Sequence, residues 1–176
     1  MLTNRLPEIT FHTRVRDRSI PGDNPFRWHD KTTTEIFAGK RSILFSLPAA
    51  FSPTCTDRHV PRYEELAEQF NAFGVDQIVC ISVNDAFVMF QWGKKVGVKQ
   101  IVLLPDGNGD FTRRMGMLID RSLFGMGMRS WRYSLLLNGL EIETAFVEDG
   151  IDSPNPEDPL NVSDADTMLA HLQSLA

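Results

Sequence analysis

The sequence predicts an α/β fold with a mixed central sheet, helices on both faces and added elements before residue 42. Three observations predict it. Short apolar runs at residues 42–47, 77–83 and 101–104 alternate with helical stretches, the pattern of parallel strands joined by crossovers. A hairpin signal at Asn138-Gly139 follows and adds an antiparallel pair. An amphipathic stretch then ends the chain. The 176 residues suit one domain of ordinary size, so residues 1–176 are read as a single domain.

In order, Pro21-Gly22-Asp23-Asn24-Pro25 is a turn cluster and residues 32–37 are β-prone, with Gly39 as a turn. Residues 42–47 form a buried strand stopped by Pro48. Thr54 is expected to cap a helix over residues 55–71, with Asp57 three positions on and Val60, Tyr63, Leu66, Ala67 and Phe70 on its inner face. Residues 77–83 are a second buried strand. Asn84-Asp85 caps a helix over residues 86–95, with Phe87, Phe90 or Met89, and Val96 on one side and Gly97 near its end. Residues 101–104 are a third strand and residues 110–115 a short helix. Residues 131–137 and 141–147 flank the Asn138-Gly139 turn, where both residues tolerate positive φ. Residues 152–161, with three prolines, form a loop. Ser163 is expected to cap a final helix striped by Met168, Leu169, Leu172 and Leu175. This order is that of a thioredoxin-like sandwich.

Composition excludes several function classes. A formal charge of −5 argues against a nucleic-acid binder. No run approaches 18 apolar residues, and residues 1–7 lack the apolar core of an export signal. Two cysteines, Cys55 and Cys80, are too few for a disulfide scaffold, and a reduced cytoplasmic setting fits best. The four histidines are scattered and show no metal-ligand spacing, so no metal and no organic cofactor is expected. His59 is expected to pack near the site loop.

The chemistry is expected in the loop Pro48-Ala49-Ala50-Phe51-Ser52-Pro53-Thr54-Cys55, at the carboxyl end of a strand and the start of a helix. Free amides and the helix dipole there favour a thiolate. Position alone leaves Cys55 as either a reactive thiol or a small buried residue. Ser52, three residues earlier, can face the same space or serve as a loop serine. No Cys-x-x-Cys is present, which argues against a local dithiol.

Pro48-x-x-x-Ser52-x-x-Cys55 resembles the signature of the peroxiredoxins. The string from Ala50 through Cys55 to Pro61 is similar to the peroxiredoxin-5 (type II) branch, in its bacterial, redoxin-like form. Cys80-Ile81-Ser82-Val83-Asn84-Asp85, Leu104-Pro105-Asp106-Gly107 and Arg129-Ser130-Trp131-Arg132-Tyr133-Ser134 extend the resemblance, which runs from about residue 40 to 175. Two departures stand out: Ser52 where threonine is commoner, and Ala49 where this branch often has glycine.

The resemblance implies a thiol-dependent peroxidase for hydrogen peroxide and small alkyl hydroperoxides. Cys55 would be the peroxidatic nucleophile and become a sulfenic acid. Pro48 would shield the sulfur, Ser52 would hydrogen-bond the peroxide, and Arg132 would bond both thiolate and peroxide. Ionisation alone gains roughly 30-fold over an ordinary thiol, against a typical enzymatic acceleration of about 10⁶ or more. Fixed donors must therefore supply most of the effect. Glutathione with glutaredoxin is the expected reductant. The alternatives are a thioredoxin-dependent enzyme with Cys80 as resolving cysteine, or a non-catalytic redox-signalling module of the same fold. Cys80 lies inside an apolar strand, so it is expected to stay buried while Cys55 is reached from solvent. The Gly125-Met126-Gly127-Met128 loop suits contact with another subunit, and a homodimer is expected.

Overall fold

The computed structural model describes residues 3–153 and 157–176. The N-terminal segment contributes β1 (Thr10–Phe11), β2 (Arg14–Arg16), β3 (Phe26–Trp28) and β4 (Lys31–Thr32), paired as two small antiparallel sheets, β1 with β4 and β2 with β3. The β-prone reading of residues 32–37 is corrected here. Only Thr32 is in a strand, and α1 (Thr33–Phe37) follows, because Thr32 and Glu35 form a reciprocal capping box that starts a helix.

The main sheet begins with β5 (Arg41–Ser46). A π-helical turn (Cys55–His59) leads into α2 (Val60–Glu65), and α3 (Ala67–Ala72) follows after a break at Leu66. Then come β6 (Gln77–Ser82), α4 (Ala86–Val96), β7 (Ile101–Pro105) and α5 (Asp110–Arg114). A small hairpin of β8 (Leu118–Asp120) and β9 (Met128–Ser130) precedes β10 (Tyr133–Asn138), β11 (Glu141–Val147) and α6 (Ala165–Ser174). The five-stranded order is β11-β10-β5-β6-β7, with β5, β6 and β7 parallel and β10 antiparallel to both its neighbours. The thioredoxin-like, mixed sheet is as expected.

Alternation along each strand divides the core in two. Ile43, Phe45, Ile78, Cys80 and Leu136 face a layer built with α2, α3, α4 and α6, while Leu44, Val79, Ile81, Leu135 and Leu137 face α1, α5 and the N-terminal segment. Cys80 thus points to the same layer that holds Cys55.

Four local expectations are corrected. Thr54 is itself helical (φ −56, ψ −42) and makes no capping hydrogen bond, because the helical turn has already begun when the chain reaches it. Asp164, not Ser163, caps α6, accepting from the amides of Asp166 and Thr167, and Leu175 lies past the helix end, exposed. On α4, Asp85 is the cap as expected, but Met89 and Trp92 face the core while Phe87 and Phe90 face outward. Their rings meet Trp28 and Phe26 of the β2–β3 hairpin, edge to face. In the β10–β11 hairpin Asn138 still pairs with Glu141, so Gly139 (φ 59) and Leu140 make the turn and only the glycine takes positive φ.

Candidate active site

The antiparallel pairing of β10 with β5 sets Tyr133 opposite Ser46. The start of β10 therefore lies at the same end of the sheet as the loop leaving β5. Arg132 precedes β10, and Pro48, Ser52 and Cys55 follow β5, so four residues named from the sequence converge on one end of the sheet. Leu47 and Pro48 are buried where the strand ends. Phe51 takes φ 65, a left-handed conformation rare for a phenylalanine, and stands half exposed. The Asn84 side chain accepts from the Ala50 amide and steadies this bend from the end of β6. The buried Trp92 donates to Thr56 Oγ1 at 3.1 Å and ties α4 to the helical turn.

Cys55 and Arg132 are both fully enclosed, at 0% exposure. Arg132 Nη2 donates to Cys55 Sγ at 3.4 Å and to Asp158 Oδ1 at 2.5 Å. Its Nη1 donates to His59 Nδ1 at 2.8 Å. Among the described residues its Nε has no hydrogen-bond partner, so one donor remains unused. Burial works against the guanidinium charge, yet Cys55 and Asp158 outweigh it and hold Arg132 above its ordinary value.

His59 packs near the site loop, as expected, and its role is larger than the sequence suggested. Burial first, and then the Arg132 charge, push it down from 6.5 to about 3. The neutral ring donates from Nε2 to the Ser163 carbonyl at 3.2 Å, which leaves Nδ1 to accept from Arg132. Tyr63 donates to the same carbonyl at 3.0 Å. Ser163 is held in turn by the buried Glu148, whose Oε1 accepts from the amides of Asn161, Val162 and Ser163 and from Ser163 Oγ. Burial opposes the Glu148 charge, but these donors hold its carboxyl below the ordinary range. Sequence reading placed His59 near the loop but missed its bond to Arg132, and it missed Asp158 and Glu148 altogether. The placement of His59 four residues after Cys55 was the one local signal.

A buried neutral histidine makes stability depend on pH. Below 6.5 the unfolded chain takes up a proton that folded His59 refuses, so stability falls as pH falls. From pH 7.5 to pH 5 the expected loss from this residue is about 2 kcal/mol. Urea unfolding of wild type and His59→Asn at both pH values checks it. Equal losses in the two proteins would mean that His59 charges freely in the folded state.

Two expectations change. Cys55 is not reached from solvent: it is fully buried, with Arg132, itself bonded to Asp158, against its sulfur. Ser52 Oγ donates to the Ala49 carbonyl at 3.0 Å rather than toward the sulfur. Cys80 is buried as expected, in the middle of β6 with Phe45 and Leu103 as its neighbours across the ladder. Burial, and then the Cys55 charge, push its thiol well above the ordinary value. Both cysteines are free thiols. Arg129 donates to the carbonyls of Met126 and Val83 and has no contact with Cys55 among its hydrogen bonds.

Among the described residues no group of three or more His, Cys, Asp or Glu side chains is arranged to hold a metal ion, and no helix is long and apolar enough to cross a membrane. The Redoxin family model matches residues 29–169. A peroxiredoxin of Synechocystis sp. is 60% identical over 173 residues, covering 98% of this chain and 92% of the relative. A peroxiredoxin of Rhizobium etli is 49% identical, covering 99% and 98%. The match therefore extends through the first 40 residues, where the sequence alone showed little resemblance. Among solved structures, reduced Prx3 from Vibrio vulnificus in complex with H2O2 superposes with a TM-score of 0.81 at 36% identity, covering 98% and 96%. The Plasmodium falciparum antioxidant protein, a 1-Cys peroxiredoxin, gives 0.89 at 33% identity, covering 98% and 99%. A buried thiol met by an arginine at the end of a thioredoxin-like sheet, in a chain this similar to peroxiredoxins along its whole length, makes this protein a member of the peroxiredoxin family, a thiol-dependent peroxidase.

Proposed function

We propose that Cys55 is the peroxidatic nucleophile and that it reduces hydrogen peroxide and small alkyl hydroperoxides. The observation that carries this reading is Arg132 Nη2 at 3.4 Å from Cys55 Sγ, both groups enclosed, with Arg132 Nε still free to donate. The thiolate attacks the terminal peroxide oxygen and the O–O bond breaks. That oxygen stays on sulfur as a sulfenic acid, and the other leaves as water or alcohol after taking a proton. Negative charge grows on the leaving oxygen, and a donor fixed before the reaction stabilises it without reorganising. Arg132 is that donor. With its O–H on Ala49, Ser52 acts through its lone pairs, accepting the hydroperoxide O–H. Pro48, buried at the strand end, keeps water from the sulfur.

Glutathione with glutaredoxin is the proposed reductant, in a cytoplasmic setting. One thiol displaces water from the sulfenic acid to give a mixed disulfide, and a second thiol releases Cys55. Both cysteines are buried, so either route needs motion. The difference is where. Cys55 lies in a single helical turn beside a loop, whereas Cys80 is bonded into the sheet on both sides, and opening a core strand approaches the global unfolding cost of about 5–15 kcal/mol. A homodimer is also proposed. Leu123, Phe124 and Met128, in and beside the loop between β8 and β9, are exposed apolar side chains suited to contact between subunits.

Cys80→Ser is expected to keep most peroxidase activity with glutathione and glutaredoxin. Steady-state turnover of both proteins with that couple, and then with thioredoxin, tests it. Loss of activity with both reductants, together with a Cys55–Cys80 disulfide in oxidised wild type, would instead establish internal resolution.

A further inference from the structure

Glu148 is 2% exposed, directly after β11, and the peroxidase chemistry just described gives its carboxylate no task. One oxygen, Oε1, accepts from the amides of Asn161, Val162 and Ser163, each at 2.9 Å, and from Ser163 Oγ at 2.7 Å. These donors lie in the residues just before Asp164, which itself caps α6, so the carboxylate is not needed to start the helix. It holds the segment that presents the Ser163 carbonyl, and that carbonyl accepts from His59 Nε2 at 3.2 Å and from Tyr63 at 3.0 Å. His59 Nδ1 is left to accept from Arg132 Nη1 at 2.8 Å. The backbone of Glu148 is tied to the same arginine. Its amide donates to the Arg132 carbonyl at 3.2 Å, and its carbonyl accepts from Trp131 Nε1 at 2.7 Å. Arg132, Glu148, Ser163 and His59 thus form a closed circuit of hydrogen bonds that grips the arginine by its main chain and by its guanidinium.

We propose that Glu148 is a positioning residue for peroxide reduction, whose carboxylate fixes the Ser163 carbonyl and, through His59, aims the Arg132 guanidinium at Cys55. This rests on the reading of Cys55 as the nucleophile and Arg132 as the donor. A long side chain holds one direction only while its partners hold theirs. The Ser163 carbonyl can only accept, so it selects the Nε2–H form of the neutral ring and leaves a lone pair on Nδ1 for Arg132. A carbonyl that turns away releases that choice, and an Nδ1–H ring meets Arg132 donor to donor. Displacing a catalytic group by about 1 Å costs up to about 10²-fold in rate. A glutamine at position 148 keeps the shape but offers the same donors an uncharged oxygen, so about a tenfold loss is expected.

The test measures single-turnover oxidation of Cys55 by hydrogen peroxide in wild type, Glu148→Gln, Arg132→Lys and the double variant. Glu148→Gln is expected to slow the reaction about tenfold in the wild-type background and to add no loss where Arg132→Lys has already removed the guanidinium. Nitrogen NMR of the His59 ring should show the Nε2–H form alone in wild type and a second form in Glu148→Gln. A wild-type rate in Glu148→Gln overturns the inference. An equal loss in both backgrounds overturns it too, since that is what a general loosening of the site would give. A wild-type ring that carries its hydrogen on Nδ1 does the same. If Glu148→Gln does not fold, Glu148→Asp, still charged but one methylene shorter, passes through the same cycle and is judged by the same outcomes. If wild-type Cys55 does not react with peroxide, or Arg132→Lys reacts as fast as wild type, the reading of the nucleophile or of the donor fails and takes this inference with it. Normal behaviour of both with no coupling to position 148 removes only the role of Glu148.

Discussion

Cys55→Ser is expected to lose all measurable peroxide turnover while keeping its fold. A serine hydroxyl stays protonated at neutral pH and attacks a peroxide oxygen poorly, so the nucleophile is gone rather than weakened. The fold should tolerate the change despite complete burial. A hydroxyl placed in an apolar cluster costs about 1–3 kcal/mol when unpaired. Here Arg132 Nη2, 3.4 Å from the present sulfur, stands ready to donate to it. Peroxide consumption with any thiol reductant, alongside the unfolding midpoint, checks both halves. In wild type without reductant, excess peroxide should carry the Cys55 peptide to a two-oxygen gain, the sulfinic acid, by mass spectrometry. Turnover that survives in Cys55→Ser would remove Cys55 from the mechanism.

Arg132→Ala is expected to cost about 10²–10³ in the rate of Cys55 oxidation, the scale set by deleting one preorganised donor. It should also destabilise the protein by about 1–3 kcal/mol, because buried His59 Nδ1 loses its donor while Asp158, left without its partner, is partly open to solvent. Stability and rate are separated by Arg132→Lys. The lysine keeps the charge, but a single ammonium cannot serve His59, Cys55 and Asp158 with the forked geometry of the guanidinium. Its rate should stay low while its stability recovers. Arg129→Ala is the control, since Arg129 is occupied by two loop carbonyls. Equal losses in single-turnover kinetics for Arg129→Ala and Arg132→Ala would place the donor role on neither.

What could be read from the sequence was local. An apolar run cut by Pro48 marked a strand end, and Ser52 and Cys55 at the next helix start marked where chemistry belongs. The parallel strands and the hairpin followed from periodicity and from one glycine. The surroundings of Arg132 did not, since His59 lies 73 residues away from it and Asp158 lies 26 residues away. No spacing rule links such positions; the β5–β10 register does. The misreadings have the same origin. Phe87 and Phe90 look like core because the outer face of α4 is apolar too, and that face meets a hairpin whose arrival over α4 no local pattern announces. Thr32 was different, for its partner Glu35 is three residues away and the capping signal was legible.

The separation of 77 positions from Cys55 to its arginine also has a meaning in time. Ribosomes add about 5–20 residues per second, so roughly 4–15 seconds separate synthesis of the thiol from synthesis of Arg132. Asp158 and Ser163 arrive later still. Through that interval the sulfur has no guanidinium beside it, and β5 waits for its antiparallel neighbour. On the proposed role of Arg132, fast reaction with peroxide is acquired only after β10, β11 and α6 have been made and close on the sheet. A growing chain therefore carries Cys55 past the oxidant it will later consume before its reactive setting exists.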